Sequence, residues 1–245
     1  MEPVFEPFVL LASRLILIPT PIAISFPTYR ALYAALHADA AFCEMGFGVH
    51  FPARQWTDDE AREVIQTRDI ESAWNKRGLG DFAVGFRQVP ESYAFGTEYD
   101  FSGNCVVVAK GDDFQRIAGP NYECFENIKW AGYAGVRDAT MTSLPPPEEE
   151  DPPFPPWYEM VELRYGISPE FWGKGVAGEA AGVVLKWSST EKRVRRFIAE
   201  TEKGNERSAR LLQKLGFVPN RYNHWNEPSE DEWELLNYGN NPAGL

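Results

Sequence analysis

The sequence predicts an α/β (α+β) chain in which a mixed sheet is flanked by helices. Short runs of apolar and β-branched residues recur along it, bounded by Pro, Gly and Asn, as strands are. Other stretches carry their apolar residues at helical spacing. Two such stretches come early, a series of strand-like runs follows, and two more helical stretches then alternate with strands, an order that a mixed sheet accommodates.

Residues 10–18, LLASRLILI, have the density of a strand, closed by Pro19 and Pro21. Tyr29, Leu32, Tyr33 and Leu36 mark a helix over 28–36. A loop rich in Gly and aromatics is expected from Phe42 to Trp56. Thr57, with Glu60 three residues on, forms a capping box and starts a helix reaching Trp74 or Asn75. Strands are expected over 81–87, 104–110 and 129–137; the Gly/Tyr/Ser-rich stretch between the first two has no assignment. Residues 142–156, TSLPPPEEEDPPFPP, are almost all Pro and acid and read as a solvated, extended, mobile loop. A strand over 159–167 leaves in extended conformation before Pro169. The helix over 173–188 carries Val176, Ala177, Ala180, Ala181, Val184 and Trp187 on one side. After a strand at 196–201, a helix over 205–215 turns Leu211, Leu212 and Leu215 inward and ends at Gly216. Two last strands are expected over 217–225 and 233–238.

With 245 residues, 44% apolar and 24% charged, the composition is that of a globular protein. The net charge of −12 argues against a nucleic-acid partner, because phosphate binding needs a basic surface. It serves solubility, or steers a cationic amine or basic peptide. Cys43, Cys105 and Cys124 match no zinc or redox spacing and cannot all pair, which points to a reducing compartment. His37, His50 and His224 are too scattered for a metal site. The apolar run from Phe8 to Phe26 is broken by Arg14, Pro19 and Pro21, so no membrane span is expected. The reading is one cytoplasmic domain over 1–245, with no metal and no membrane, and an unplaced insertion at about 88–127.

GKGVAG, residues 173–178, is a literal G-x-G-x-x-G. Glycines before a helix bare backbone N–H groups, and the helix N-terminus favours negative charge, so a phosphate fits there. A dinucleotide is the first candidate: a strand precedes, a helix follows, and Glu200 ends the next strand. Against it, residues 168–172 separate strand from glycine, and no βαβαβ pattern follows. The P-loop pattern G-x-x-x-x-G-K-[ST] is absent, and so are the H-R-D and D-F-G partners of a kinase glycine loop.

Four linked segments carry a different resemblance. They are Pro169-Glu170-Phe171-Trp172-Gly173-Lys174-Gly175, Ala199-Glu200-Thr201, Asn205-x-x-Ser208, and Lys214-Leu215-Gly216-Phe217. Over about 162–217 the chain resembles the GNAT superfamily of acyl-CoA-dependent N-acetyltransferases, most closely the ribosomal-protein branch. The family loop [RQ]-x-x-G-x-[GA] is matched by Trp172 to Ala177 except at its first position, where Trp is usual in the branch. Residues 12–19 are similar to the branch's opening strand, and 130–138 to its third.

The resemblance implies the GNAT fold: a mostly antiparallel sheet of about six to seven strands, with a V-shaped splay that admits acetyl-CoA. Backbone N–H groups from Gly173 through Lys174, Gly175, Val176 and Ala177 to Gly178, beside Trp172, would hold the pyrophosphate; Lys174 either adds charge or stays solvated. Main-chain groups at Tyr165 and Ile167 would bind the pantetheine arm and polarise the thioester. Asn205 would cap its helix and bond the arm. Candidate proton acceptors are the carboxylates Glu162, Glu200 and Glu202, with His224 further on. The thiolate's usual Tyr, seven residues after the Asn, is Leu212 here, so Ser208 is the hydroxyl implied to face the sulfur. The acceptor is an amine: a small molecule, a peptide N-terminus or a lysine. Its pocket would be built from the N-terminal helices, the 42–56 segment and the final hairpin, with Phe42, Phe47, Phe51, Trp56, Tyr222, Trp225 and Trp233 crowding there. A sensor or scaffold that binds acyl-CoA without transfer is the alternative.

Overall fold

The run LLASRLILI is cut in two by its polar centre. Leu10 pairs with Leu17 and Leu11 with Ile16 across a tight turn at Ser13-Arg14, making strands β1 (Phe8–Leu11) and β2 (Leu15–Pro19). This corrects the single strand expected over 10–18. Apolar density alone does not show where the chain reverses, because both strands are buried along their whole length. The computed structural model describes residues 5–48, 51–87, 96–101, 104–147, 152–220 and 224–236.

A short helix α1 (Thr20–Ala23) leads into α2 (Pro27–Ala38), with Pro27 opening its first turn. Helix α3 (Ala40–Phe47) occupies the start of the segment expected to be loop; the Asp39 carboxylate caps it by accepting the Phe42 N–H at 2.8 Å. The Thr57/Glu60 capping box is formed at α4 (Asp58–Ile65). The chain continues as a π-helical stretch over Gln66–Trp74 and closes in α5 (Asn75–Arg77). The π stretch buries Asp69 and Trp74 together: Asp69 accepts from Thr20 and from the Asp81 N–H, and the Trp74 indole donates to Thr20.

The remaining elements are β3 (Gly80–Phe86), β4 (Thr97–Phe101), β5 (Asn104–Lys110), α6 (Gly111–Ala118), β6 (Trp130–Asp138), α7 (Ala139–Thr142), β7 (Val161–Ile167), α8 (Val176–Glu191), β8 (Arg196–Glu202), α9 (Glu206–Lys214), β9 (Val218–Pro219) and β10 (Glu230–Leu236). Among the described residues they form one sheet of ten strands in the order β4-β5-β1-β2-β3-β6-β7-β8-β10-β9. Ten exceeds the expected six to seven. The opening run contributes two strands, and the segment left unplaced at 88–127 supplies β4, β5 and α6, which extend the sheet beyond β1. Residues 88–95, 102–103, 148–151, 221–223 (with Tyr222) and 237–245 lie outside the described residues.

Helices flank the sheet on both sides. Tyr133 of β6 packs with Leu36, Phe42 and Cys43 of α2 and α3, while the alternating Ala134 and Val136 join the core containing Ala180, Val184 and Trp187 of α8. The Pro/acid loop is not wholly solvated as expected: Leu144 and Phe154 pack against Ala139, Met160, Ile198 and Trp225. Their apolar area outweighs the polar character of the neighbouring prolines and acids.

Candidate active site

Every neighbouring pair of strands is antiparallel except β7 and β8. That parallel pair matches only Val161 with Phe197 and Glu162 with Ile198. Beyond Glu162 the strands diverge, and a V opens between them. The Ser168 N–H donates to the Ala131 carbonyl at 2.8 Å, so the alternation of the β6/β7 ladder turns the backbone groups of Tyr165 and Ile167 the other way, toward the V. The Trp172 indole N–H donates to the Ile167 carbonyl at 2.6 Å. This pins the end of β7 to the loop and takes that acceptor. Trp172 thus holds the strand in place, a role its spacing in the motif did not reveal.

The loop that follows depends on two left-handed glycines, Gly173 at φ 74° and Gly175 at φ 76°. Gly175 is the N-cap of α8, no side chain caps it, and the first helical hydrogen bond runs from Glu179 N–H to the Gly175 carbonyl. The N–H groups of Val176, Ala177 and Gly178 precede that ladder and face outward at the positive end of a long helix. A Cβ at Gly173 or Gly178 would meet no atom within 4 Å, so there is space in front of the loop. Lys174 is exposed, with Nζ 5.6 Å from the Phe171 ring centroid, and is not part of the cavity wall.

A cavity of about 540 Å³ connects V and loop. One wall is Tyr165, Gly166, Ile167 and the glycine loop; the facing wall is Asn205, Ser208, Leu211 and Leu215 of α9 and its flanks. Phe42, Met45, Phe47 and Tyr133 close the far end. Asn205 is committed at both ends: its oxygen accepts the Ser208 N–H at 3.0 Å, and its Nδ2 donates to the Met45 carbonyl at 2.7 Å. It therefore caps α9 and ties α3 over the V. Leu212, where the family's Tyr would stand, is fully buried in the core. Between the two walls the hydroxyls of Ser208 and Tyr165 lie side by side. Burial pushes the Tyr165 phenol up to about 12, and the neighbouring Ser208 hydroxyl partly opposes the shift.

The structure brings Ser208, Tyr165, Asn205 and the loop together, but Glu162 and Glu200 lie outside this cavity wall. Glu162 is buried and held: Oε2 accepts from Ser143 at 2.6 Å and Arg137 at 3.3 Å, and Oε1 is 3.7 Å from Arg164. Glu200 sits beside Glu230 on β10, with Glu162 and Glu232 nearby, and its Oε2 is buried without a hydrogen-bond partner. Burial first, and then these carboxylates, raise its pKa to about 10. His224 is engaged by Glu232 at 3.0 Å.

Among the expected pocket aromatics, Phe42 and Phe47 do line the cavity. Trp56 stacks on Tyr33 and His37, and Phe51 packs on Phe47. Trp225 and Trp233 are buried, the latter donating to Thr201. Sequence reasoning missed the basic side of the cavity, formed by Arg207, Arg210 and Lys214 of α9. The Arg207 guanidinium lies 5.0 Å from the Trp172 ring centroid, across the mouth. Their spacing along one helix was the available signal, but it is also that of an ordinary solvated face.

The architecture is the GNAT fold: an open, mostly antiparallel sheet with one parallel, splayed strand pair. Residues 131–218, the segment holding the V, the glycine loop and α9, match the family described as Acetyltransferase (GNAT) domain. Among curated proteins, an uncharacterized N-acetyltransferase of Schizosaccharomyces pombe, C18E5.08, is 37% identical over 59 residues, which are 24% of this chain and 31% of that protein. The chain thus spans about a third of that relative's length. Among solved structures, an acetyltransferase from Agrobacterium tumefaciens superposes with a TM-score of 0.56 at 16% identity, covering 96% of this chain and 98% of that one. RimL, a ribosomal alpha-N-protein acetyltransferase in complex with coenzyme A, does so with a TM-score of 0.52 at 12% identity, covering 91% and 94%. Among the described residues, no helix is long and apolar enough to cross a membrane.

Proposed function

We propose that this protein is an N-acetyltransferase that moves an acetyl group from acetyl-CoA to a primary amine. The observation that carries the reading is the V itself: two paired residues, then divergence, with an uncapped glycine loop at its mouth. Acetyl-CoA supplies an activated thioester. The N–H groups of Val176, Ala177 and Gly178 receive its pyrophosphate, and the basic side of α9 adds positive charge. Tyr165 and Ile167 backbone groups receive the arm and polarise the thioester carbonyl. The acceptor is a small-molecule amine, a peptide N-terminus or a lysine, and the protein works in the cytoplasm. Release of free thiol from acetyl-CoA over a panel of amines, with an acetyl mass shift on one of them, tests the reading. A sensor that binds acyl-CoA without transfer is the second reading, favoured by Leu212 in place of the family's Tyr. Tight acetyl-CoA binding with no thiol released over that panel would select it.

Ser208 and the Tyr165 phenol are the groups placed to stabilise the departing thiolate. Ser208→Ala should lower kcat by roughly five- to tenfold, the worth of one hydrogen bond of about 1–1.4 kcal/mol, while acetyl-CoA affinity hardly changes. An equal loss in affinity would place Ser208 in ground-state binding instead.

Between the two carboxylates, Glu200 is the better proton acceptor, because both oxygens of Glu162 are engaged. Burial and the neighbouring carboxylates favour the protonated form of Glu200, so it would serve as acceptor only where an arriving ammonium stabilises its charge. Glu200→Gln should lose rate most below the amine's pKa and recover as free amine appears. The same group links stability to pH. Its folded pKa is raised, so its contribution is complete below the ordinary carboxylate range and is lost as pH climbs toward about 10. Thermal unfolding of Glu200→Gln should therefore fall less steeply between neutral and alkaline pH than wild type. Parallel curves would mean that Glu200 is ionised in the fold.

A further inference from the structure

Glu179 sits in the first turn of α8, where the proposed function places the cofactor's pyrophosphate. An ionised side chain there would compete with the phosphate for the helix's positive end and repel it. The structure shows what draws this carboxylate aside. The turn between β1 and β2, some 165 residues away in the chain, reaches it four times. The Ser13 hydroxyl and the Arg14 backbone N–H donate to Oε1 at 3.1 and 2.9 Å. Arg14 Nε and Nη2 donate to Oε2, each at 2.7 Å. Arg14 also donates from Nη1 to the Lys174 carbonyl at 3.1 Å, inside the glycine loop. Its Nη2 lies 3.4 Å from where a Cβ of Gly175 would stand, so the guanidinium rests against the left-handed N-cap. Half of the Arg14 side chain is exposed, so burial does not explain this geometry; the fork of contacts does.

We propose that Arg14 is a positioning residue for the pyrophosphate loop. It neutralises Glu179 and turns that carboxylate toward the β1–β2 turn, and it holds the Lys174 carbonyl so that the loop keeps its glycine conformation and presents its N–H groups. The inference rests on the reading of this loop as the coenzyme A site. It adds a residue outside the glycine loop, contributed by the opposite end of the chain. It also ties the first hairpin to ligand affinity: a loosened β1–β2 turn costs binding even though it lies outside the cavity wall.

The test is calorimetric titration of the full chain with coenzyme A and with its nucleotide half, adenosine 3′-phosphate 5′-diphosphate. Proteins compared are wild type, Arg14→Ala, Arg14→Lys, Glu179→Gln and the double variant Arg14→Ala/Glu179→Gln, each with its Tm without ligand. Wild-type binding decides the coenzyme A reading by itself; if wild type binds neither probe, that reading fails and the clamp fails with it. Given wild-type binding, Arg14→Ala should weaken both probes by a similar factor of about ten, the scale of one charge-assisted contact. Arg14→Lys should fall between, and the added Glu179→Gln should restore most of the loss because the repelling charge is gone. A loss confined to coenzyme A, no loss in Arg14→Ala, or no recovery in the double variant would each overturn the proposal. A fall in Tm with unchanged affinity would overturn it too, since that marks a contact that only supports the fold.

Discussion

Gly175→Glu is expected to abolish measurable acetyl-CoA binding while the protein stays folded. The residue is left-handed at φ 76°, so any side chain costs roughly 1–2 kcal/mol of local strain. The new carboxylate would also lie beside Arg14, whose Nη2 is 3.4 Å from the position the added Cβ would take, and would draw Arg14 from Glu179. Two acidic side chains would then face the pyrophosphate site, and like charge at close quarters should weaken binding on the order of a hundredfold or more. Calorimetry against acetyl-CoA and circular dichroism on the same sample read both halves of the expectation. A folded variant with wild-type affinity would remove the phosphate from this loop. NAD, NADP and ATP should show no comparable binding to the wild type.

Gly132→Ala should damage stability and ligand binding together. A Cβ there would stand 2.0 Å from the Gly166 carbonyl oxygen and 2.8 Å from the Ile167 Cα, both backbone atoms that no rotamer change can move. β6 must separate from β7 at its open end, the limb of the V that carries Tyr165 and Ile167. Overpacking of this kind costs about 1–3 kcal/mol and more where backbone must shift. Denaturant unfolding should show that loss, and acetyl-CoA affinity should fall with it. If stability falls while affinity is preserved, the arm does not run along this end of β7.

The legible parts of the molecule are those whose cause is local. The capping box at Thr57 and Glu60, the cap at Asn205, the stop at Gly216 and the glycine pair before α8 each depend on residues a few positions apart, and all are present. Strand runs at 81–87, 104–110, 129–137 and 159–167 were readable to within a residue or two because apolar side chains must leave water whatever they meet. The same reasoning failed where the pattern was uniform. LLASRLILI is apolar on both faces and gave no sign of its reversal, and the segment from Phe42 read as loop because its Gly residues hid the helix capped by Asp39. The Pro/acid stretch concealed Leu144 and Phe154, two apolar side chains with a core to reach.

The sequence by itself determined the elements, the glycine loop and the family signature, because each is short-range chemistry written in neighbouring residues. Only the tertiary structure decided what the charged side chains do. Glu162 and Glu200 look alike in the chain, yet one is bound by Arg137, Arg164 and Ser143 while the other lies against Glu230, where burial and like charge raise its pKa. Arg14 reads in the sequence as part of an ordinary strand, but it sits in the β1–β2 turn and meets Glu179 across the fold. Coulomb energy and desolvation depend on distance and burial, and neither exists until strands far apart in sequence are brought together.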